Sequence, residues 1–344
     1  MDGTVTLKKI AEINGTSIRT VYNALHSSAS VDLELKARIL KTAQELNYFP
    51  QAKNSRQKAE RCIIAALIPS NPIYFWSEAQ RGMQEAIEAI DNKTVSLEIF
   101  VYSNIDMDDD FLYCIERARN SNPDAYIIVP PCSETSKNEI QKLNKPIVFL
   151  NEYIHIDDTN ETSFIGADTY SDGKLFAETC QNFLLSNPRV LIVHGEKDNY
   201  MVQRRCQGFC DYLPKGVVVI GEIRPGSSTT IAAKMAQIIH KEYIAKENIP
   251  LFDCIFVATG LIPQVCLTLK KLNLKIPCIG CEKPNSNFKY IKEGILYGEL
   301  VQSIKKQGLE SVNYALKVVN KEDIACRKVT IPSNIYIYGQ RIFK

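Results

Sequence analysis

A regular alternation of apolar and amphipathic segments constrains the fold most strongly, and it runs from Cys62 to Cys281. The short apolar runs have the length of buried strands, and the segments between them carry apolar residues at helical spacing. Strands joined through helices form parallel sheets with right-handed crossovers. We therefore predict the α/β class, with strands near 62–69, 95–102, 125–129, 146–150, 190–194, 217–223, 254–258 and 276–281.

The chain after residue 61 is about 280 residues long, more than one doubly wound sheet comfortably contains. Two similar halves fit better, so we predict a two-lobed core of two doubly wound parallel sheets. Ligands of such sheets bind at the carboxyl ends of the strands, and two facing sheets form a cleft. The predicted core spans 62–344, with one subdomain at about 62–165 and 301–330 and the other at about 166–300 and 331–344.

Residues 5–25 have the pattern of two short helices joined by a tight turn. Leu7, Ile10 and Ala11 fall on one helical face. Gly15 can take the positive φ that a turn needs, and Ser17 is a good N-cap for the helix that follows. Such a pair, with exposed polar groups at the start of the second helix, is a helix-turn-helix and predicts DNA binding.

A third helix follows the pair, with Asp32 as its predicted N-cap, and it ends before Pro50. Its apolar stripe completes a compact three-helix headpiece over residues 1–50. Residues 51–61 are polar throughout and are predicted to be a linker.

Charge is unevenly divided along the chain. The first 60 residues hold nine Lys and Arg against six Asp and Glu, whereas the remainder holds 32 basic and 33 acidic residues. The positive excess lies with the headpiece, where it favours DNA as a partner. The N-terminus leads directly into the first helix without a signal peptide, and no run is long enough to span a membrane, so we expect a cytoplasmic protein.

The eleven cysteines are an odd number scattered through apolar segments, which favours reduced, buried thiols. Cys278 and Cys281 lie three residues apart in a predicted strand and should face opposite ways. No spacing of histidines and cysteines completes a metal site. We therefore expect no metal and no cofactor.

The first 50 residues resemble the headpiece signature of the lactose-repressor (LacI/GalR) family of transcription factors. The likeness is carried by Val5, Gly15, Thr20, Val31 and the run from Glu45 to Pro50. The rest of the chain is similar in layout to that family's effector-binding core, which is itself like the periplasmic sugar-binding proteins. The resemblance implies a homodimeric repressor that reads a near-palindromic operator and responds to a small carbohydrate in the cleft.

The same resemblance places base-reading residues on the second helix. Ile18, Arg19 and Asn23 match those positions, where Arg reads guanine, Asn reads adenine and Ile touches a thymine methyl. Packing between helices is the alternative for Ile18, and a phosphate contact or a solvated charge is the alternative for Arg19. The predicted DNA-binding set is Thr6, Leu7, Ser17, Ile18, Arg19, Thr20, Tyr22, Asn23, His26, Lys53, Arg56 and Lys58.

The resemblance also implies an effector site. Arg205 matches the family's effector-binding arginine, whose planar fork suits hydroxyls or a carboxylate. Glu282 stands where the family usually has an Asp, and Gln302 matches a cleft glutamine. Core packing is the alternative for Trp76, and a surface charge is the alternative for Arg205. The predicted set is Tyr74, Phe75, Trp76, Asn151, Asp168, Arg205, Thr259, Glu282 and Gln302.

The chain departs from the family in its linker and in its site. Lys58 stands where the family has a leucine that wedges into the minor groove, which favours phosphate contact over a central kink. Thr259 and Gly260 replace an Asn-Asp pair, Glu282 replaces Asp, and the segment between Asn71 and Gly82 is two residues longer than usual. The family therefore does not identify the ligand.

Two other classes of protein share part of this pattern. A transport-type sugar-binding protein has the same core, but the headpiece and the missing signal peptide argue against it. An α/β enzyme is disfavoured because the sequence has no dinucleotide fingerprint, no Walker loop and no nucleophile elbow. Whether the ligand releases or recruits DNA binding stays open, since either follows from the state that it favours.

Overall fold

The chain forms two compact units in the computed structural model. Unit 1 comprises Met1–Gly166 and Ile304–Val329, and unit 2 comprises Ala167–Ser303 and Thr330–Lys344. The structure describes residues 6–26, 31–46, 61–90, 94–103, 108–156, 161–183, 188–195, 199–225, 230–245, 249–282, 287–322 and 326–338. The predicted phosphate contacts Lys53, Arg56 and Lys58 lie outside these ranges.

Helices and strands alternate along the described chain as the sequence pattern predicts. In chain order they are α1 Leu7–Ile13, α2 Ile18–His26, α3 Leu33–Glu45, β1 Cys62–Pro69, α4 Ile73–Ala89, β2 Val95–Tyr102, α5 Asp108–Asn120, β3 Ala125–Ile128, α6 Glu134–Gln141, β4 Ile147–Leu150, β5 Thr162–Gly166, α7 Thr169–Phe183, β6 Arg189–Val193, α8 Tyr200–Asp211, β7 Val218–Ile223, α9 Ile231–Glu242, β8 Cys254–Val257, α10 Ile262–Lys271, β9 Cys278–Cys281, α11 Phe288–Lys292, β10 Leu296–Val301, α12 Ile304–Val319, β11 Lys328–Thr330 and β12 Asn334–Ile337.

The first three helices are held together by a small apolar cluster and by side-chain caps. Ile10, Val21 and Ile39 are fully buried in the cluster. The amide of Thr20 donates to the Ser17 hydroxyl at 3.0 Å, and the amides of residues 34 and 35 donate to the Asp32 carboxylate, each at 3.1 Å. Gly15 has a φ of +61° in the turn between α1 and α2. The predicted turn and both predicted N-caps are confirmed.

Each unit is built on a six-stranded sheet. The strand order is β11-β5-β4-β3-β1-β2 in unit 1 and β12-β10-β9-β8-β6-β7 in unit 2. The pairs from β1 to β5 and from β6 to β10 are parallel, and β12 runs antiparallel to β10. The prediction of two doubly wound parallel sheets and a three-helix headpiece is confirmed. Strands β5, β10, β11 and β12 are additions to the predicted strands, and β12 is antiparallel to its neighbour.

Glycines allow two helix pairs to pack backbone against backbone. A Cβ on Gly173 of α7 would lie 2.0 Å from the carbonyl oxygen of Arg205 on α8, and one on Gly208 would lie 2.0 Å from that of Tyr170. In unit 1, Gly82 and Gly308 make the equivalent contact between α4 and α12. No residue with a side chain fits these positions without separating the helices.

The sheet of unit 2 has apolar layers on both faces. Cys278 packs in a buried cluster with Met235 and Leu269, whereas Cys281 packs in a second cluster with Phe176 and Phe256. The two cysteines therefore face opposite ways, as their spacing predicts. Among the described helices, none is long and apolar enough to cross a membrane.

Candidate functional site

Polar side chains gather at the carboxyl ends of the unit 2 strands. Thr259 follows β8 by two residues, Glu282 follows β9, and Gln302 follows β10. These three strands are neighbours and run parallel, so their carboxyl ends meet at one edge of the sheet. We refer to Asp172, Arg205, Thr259, Glu282 and Gln302 as the polar edge.

The position of Arg205 follows from the start of α8 and from its close contact with α7. Asn199 caps α8 by accepting from the amides of Met201 at 2.8 Å and Val202 at 3.1 Å. Arg205 is only 5% exposed and donates from Nη1 to the carbonyl oxygen of Ala258 at 2.8 Å. A backbone bond at the end of β8 therefore fixes the guanidinium at the carboxyl edge.

Asp172 on α7 pairs with this arginine. Its Oδ2 lies 3.5 Å from Arg205 Nη2, and both side chains are about 5% exposed. Burial raises the pKa of Asp172, whereas the nearby guanidinium lowers it, and the effect of burial is larger. The polar edge thus contains a cation that already has a buried carboxylate beside it.

Asp172 is not in the predicted effector-binding set, and it lies in the first turn of α7, which begins at Thr169. Asp168 caps this helix: it accepts from the Ser171 amide at 3.2 Å and from the Ser171 hydroxyl at 2.8 Å. Because α7 begins at Thr169, Asp172 lies one helical turn before the fully buried Phe176, on the same face of the helix. A carboxylate on the apolar face of a helix is the sequence signal that could have identified Asp172 as a site residue.

Glu282 is buried in a strained backbone conformation. Its φ is +75°, in the left-handed region that non-glycine residues rarely adopt, and its amide donates to the Leu300 carbonyl at 2.8 Å. Gln302 Nε2 donates to Glu282 Oε1 at 2.7 Å. Burial raises the pKa of Glu282 to about 7, against the lowering effects of the Gln302 bond and of Arg205.

Two further residues flank the polar edge. The Thr259 hydroxyl is buried and makes no hydrogen bond within the part of the chain that the structure describes. His194 follows β6 and pairs with Glu222, with 3.1 Å between Nε2 and Oε2. The histidine is therefore satisfied within the fold, whereas the Thr259 oxygen is a polar atom that a ligand can complete.

In unit 1, Asn151 directly follows β4 with a φ of +62°. Its Nδ2 donates to Gln307 Oε1 on α12 at 3.0 Å, and both side chains are buried. Gln307 was not predicted from the sequence. The predicted ligand amide is thus held in place by a second amide, which fixes its orientation.

The three predicted aromatic residues lie in the first turn of α4 and not in a loop before it. Phe75 and Trp76 are buried at 7% and 5% exposure, and the Trp76 indole donates to the Asn71 carbonyl at 3.0 Å. Tyr74 is 37% exposed. Of the three, Tyr74 therefore has the most exposed side chain, whereas Phe75 and Trp76 pack in the interior.

The polar edge combines strong donors with strong acceptors. Arg205 and the Gln302 amide donate, and the Asp172 and Glu282 carboxylates accept. A sugar hydroxyl both donates and accepts, so vicinal hydroxyls can satisfy both kinds of group. Within the described residues, no three His, Cys, Asp or Glu side chains are placed to hold a metal ion.

Comparison with known proteins agrees with this geometry. The family described as "Periplasmic binding protein domain" matches residues 64–323. The chain belongs to this family. The match begins within β1, after the headpiece, and ends before the edge strands β11 and β12.

Relatives of the whole chain include regulators as well as periplasmic binding proteins. A ribose operon repressor from Bacillus subtilis (strain 168) is 23% identical over 334 residues, which cover 95% of each chain. A LacI-family transcriptional regulator from Silicibacter pomeroyi has a TM-score of 0.59 and 17% identity, covering 97% of this chain and 98% of its own. A glucose-galactose binding protein, GanP from Geobacillus stearothermophilus, has a TM-score of 0.67 and 18% identity, covering 83% of this chain and all of its own. The predicted likeness to the lactose-repressor family is confirmed.

The headpiece lies outside the periplasmic binding protein match and presents the predicted DNA-reading side chains. Ile18 is 49% exposed and Tyr22 is 52% exposed, so neither is used in packing the headpiece core. Arg19 is also exposed, Asn23 is partly buried, and His26 is the last residue of α2. Thr6 caps α1 by accepting from the Lys9 amide at 3.4 Å, and Leu7 and Thr20 are partly buried.

Proposed function

We propose that this protein is a transcriptional regulator whose headpiece binds an operator and whose periplasmic-binding-protein core binds a sugar. The similarity to the ribose operon repressor over 95% of both chains carries the proposal, since it includes the headpiece as well as the core. A transport protein needs only the core.

The headpiece supports operator reading through α2. Ile18 and Arg19 are exposed at the start of α2, where a recognition helix meets base edges. Residues that only stabilised the headpiece would be buried against α1 or α3. We further propose that two copies of the chain bind one near-palindromic operator and that the protein acts in the cytoplasm, where operators are located.

The polar edge of unit 2 supports the proposal that the core binds a sugar, because its buried donors and acceptors suit hydroxyl groups. D-Ribose is the first candidate because a ribose operon repressor is a relative. D-Glucose and D-galactose are the next candidates because GanP is described as binding them. The direction of the response follows from the state that the sugar stabilises.

DNA binding is tested with an operator selected from random sequences and measured by fluorescence anisotropy. Arg19→Ala is expected to relax the preference at one base pair of each half-site, at a loss of roughly 1–3 kcal/mol in binding free energy. Lys41→Ala, which removes an exposed charge from α3, is the matched control and should leave base preference unchanged. An equal loss on every sequence would instead make Arg19 a phosphate contact.

Sugar binding is tested by thermal shift with D-ribose, D-glucose and D-galactose. A sugar present at 100 times its Kd stabilises the protein by about 2.7 kcal/mol. Arg205→Ala is expected to abolish that shift and the effect of the sugar on operator affinity while leaving operator binding itself intact. An unchanged response would remove Arg205 from the site.

A further inference from the structure

The charge balance of the polar edge depends on Asp172, a residue outside the predicted effector-binding set. Arg205 is the one cation among the described residues that interacts with Glu282, and Asp172 lies beside it with 3.5 Å between charged atoms. Glu282 and the fully buried Glu299 add further carboxylates nearby. Cations are therefore outnumbered by acids at this edge.

The Arg205–Asp172 pair is built into the helix packing. Asp172 precedes Gly173, whose Cα rests against the Arg205 carbonyl so closely that a Cβ would lie 2.0 Å away. The Nη1 bond to Ala258 holds the other side of the guanidinium at 2.8 Å. The backbone contact between α7 and α8 and the bond to Ala258 therefore place Arg205 beside Asp172.

We propose that Asp172 determines specificity by pairing with Arg205, so that the polar edge selects uncharged, hydroxyl-rich sugars and rejects sugar phosphates and sugar acids. This inference rests on the proposed function, which gives a sugar as the ligand, and it adds that the sugar is uncharged. An unpaired arginine would be the natural partner of a phosphate or a carboxylate.

Desolvation explains the selection. An anion that enters a buried site loses its hydration, and only an available cation can replace that loss. Here the anion would meet a guanidinium that Asp172 already neutralises, and above pH 7 it would also approach Glu282 as a like charge. A neutral sugar has no such loss, and its hydroxyls donate to Asp172 and Glu282 and accept from Arg205 and Gln302.

The test compares neutral sugars with anionic derivatives of the same sugars. D-Ribose is paired with D-ribose 5-phosphate, and D-glucose with D-glucose 6-phosphate and D-gluconate, at constant ionic strength set with chloride. Thermal shift and calorimetry on the full chain should show saturable binding of a neutral sugar and at least a tenfold weaker affinity for its anionic partner. An anionic derivative that binds as tightly as its neutral parent, or more tightly, overturns the proposal.

Asp172→Asn exposes the role of the carboxylate. The variant keeps the side-chain shape but removes the carboxylate charge beside Arg205, so it should gain saturable stabilisation by inorganic phosphate and bind the sugar phosphates about tenfold more tightly than the wild type does. Asp253→Asn is the matched control because it breaks an Arg–Asp pair at the opposite edge of the same sheet, and it should gain nothing. A folded Asp172→Asn protein that gains no phosphate binding overturns the proposal.

The outcomes separate this inference from the proposed function. If no neutral sugar stabilises or binds the wild type, the sugar-binding function is refuted. The measurement of phosphate binding to Asp172→Asn still decides the role of Asp172. If Asp172→Asn does not fold, Asp172→Ser serves the same purpose, and the wild-type affinities for each neutral and anionic pair decide the charge preference directly.

Discussion

Two Arg–Asp pairs at opposite edges of the unit 2 sheet differ in almost every respect. Arg189 and Asp253 join the amino ends of β6 and β8 through a forked contact of 3.0 and 2.9 Å, and both side chains are about 40% exposed. Arg205 and Asp172 lie at the carboxyl edge, approach to only 3.5 Å and are nearly fully buried. Identical residue types thus form a well-aligned pair in solvent and a looser pair in the interior.

The pKa values of the two aspartates shift in opposite directions. The hydrogen bonds from Arg189 lower the pKa of Asp253, whereas burial raises the pKa of Asp172 although a guanidinium is beside it. A buried pair with imperfect geometry contributes little to folding, because desolvation offsets the attraction between the charges. At the amino edge, the pair with Arg189 stabilises the ionised form of Asp253. At the carboxyl edge, the looser pair leaves polar groups that a ligand can bind.

Removing the arginine of each pair should give the largest difference between the two edges. Arg205→Ala leaves Asp172 buried beside an empty space, and we expect a loss of roughly 3–5 kcal/mol in the free energy of unfolding. Arg189→Ala removes an exposed pair and should cost no more than about 1 kcal/mol. Urea unfolding of both variants at pH 7 is the measurement, and similar losses would contradict the contrast.

The dependence of stability on pH should also differ between the edges. The folded-state pKa of Glu282 is about 7 against an ordinary 4.5, so the folded protein binds this proton more tightly than the unfolded chain does. The resulting stabilisation is complete below pH 4.5 and is lost as the pH rises to 7, a change of about 3 kcal/mol. Glu282→Gln lacks this loss, so its stability relative to the wild type should rise with pH across this range.

Asp253→Asn is the control for that measurement, with the opposite sign. In the wild type, the pKa of Asp253 is lowered in the folded protein. The Asp253 carboxylate therefore contributes stability that is present above pH 3.8 and lost in more acidic solution. The variant should therefore be less stable than the wild type at neutral pH and should approach it in acid. Parallel pH profiles for Glu282→Gln and Asp253→Asn would refute the assignment of opposite shifts.

The sequence predicts the strands and helix starts that position the two edges, because apolar periodicity and N-capping depend on residues close together in the chain. Apolar runs locate β8 and β9, and the residues that follow parallel strands necessarily meet at one edge, which brings Glu282 close to Thr259. Ser17 and Asp32 are identified as caps because the preference is intrinsic to a short side chain at a helix start.

The sequence does not predict contacts that depend on how helices cross. Asp172 meets Arg205 because two glycines, Gly173 and Gly208, let the backbones of α7 and α8 touch, and that contact leaves no local sequence signal. The edge strands β11 and β12 are short and mostly exposed, so neither forms a buried apolar run of the kind that predicts a core strand. Trp76 is drawn into the core by α4, which begins at Ile73 directly after Pro72.

The smallest expected effect tests the helix crossing that builds the buried pair. Gly173→Ala places a Cβ against two backbone atoms of α8, the Arg205 carbonyl oxygen at 2.0 Å and the Phe209 nitrogen at 2.6 Å, so the helices must separate. We expect a loss of about 1–3 kcal/mol in the free energy of unfolding. Gly195→Ala, whose Cβ would meet nothing within 4 Å, should be neutral or slightly stabilising.

Combining Gly173→Ala with Gly208→Ala shows whether the two glycines act as one contact. Once the first alanine has separated α7 from α8, the second meets a gap that already exists, so the double variant should lose less than the sum of the single losses. The same separation moves Asp172 away from Arg205, and the double variant should therefore bind inorganic phosphate as Asp172→Asn does. Additive losses without phosphate binding would mean that the pair does not depend on the crossing, and that the contrast between the two edges arises from burial alone.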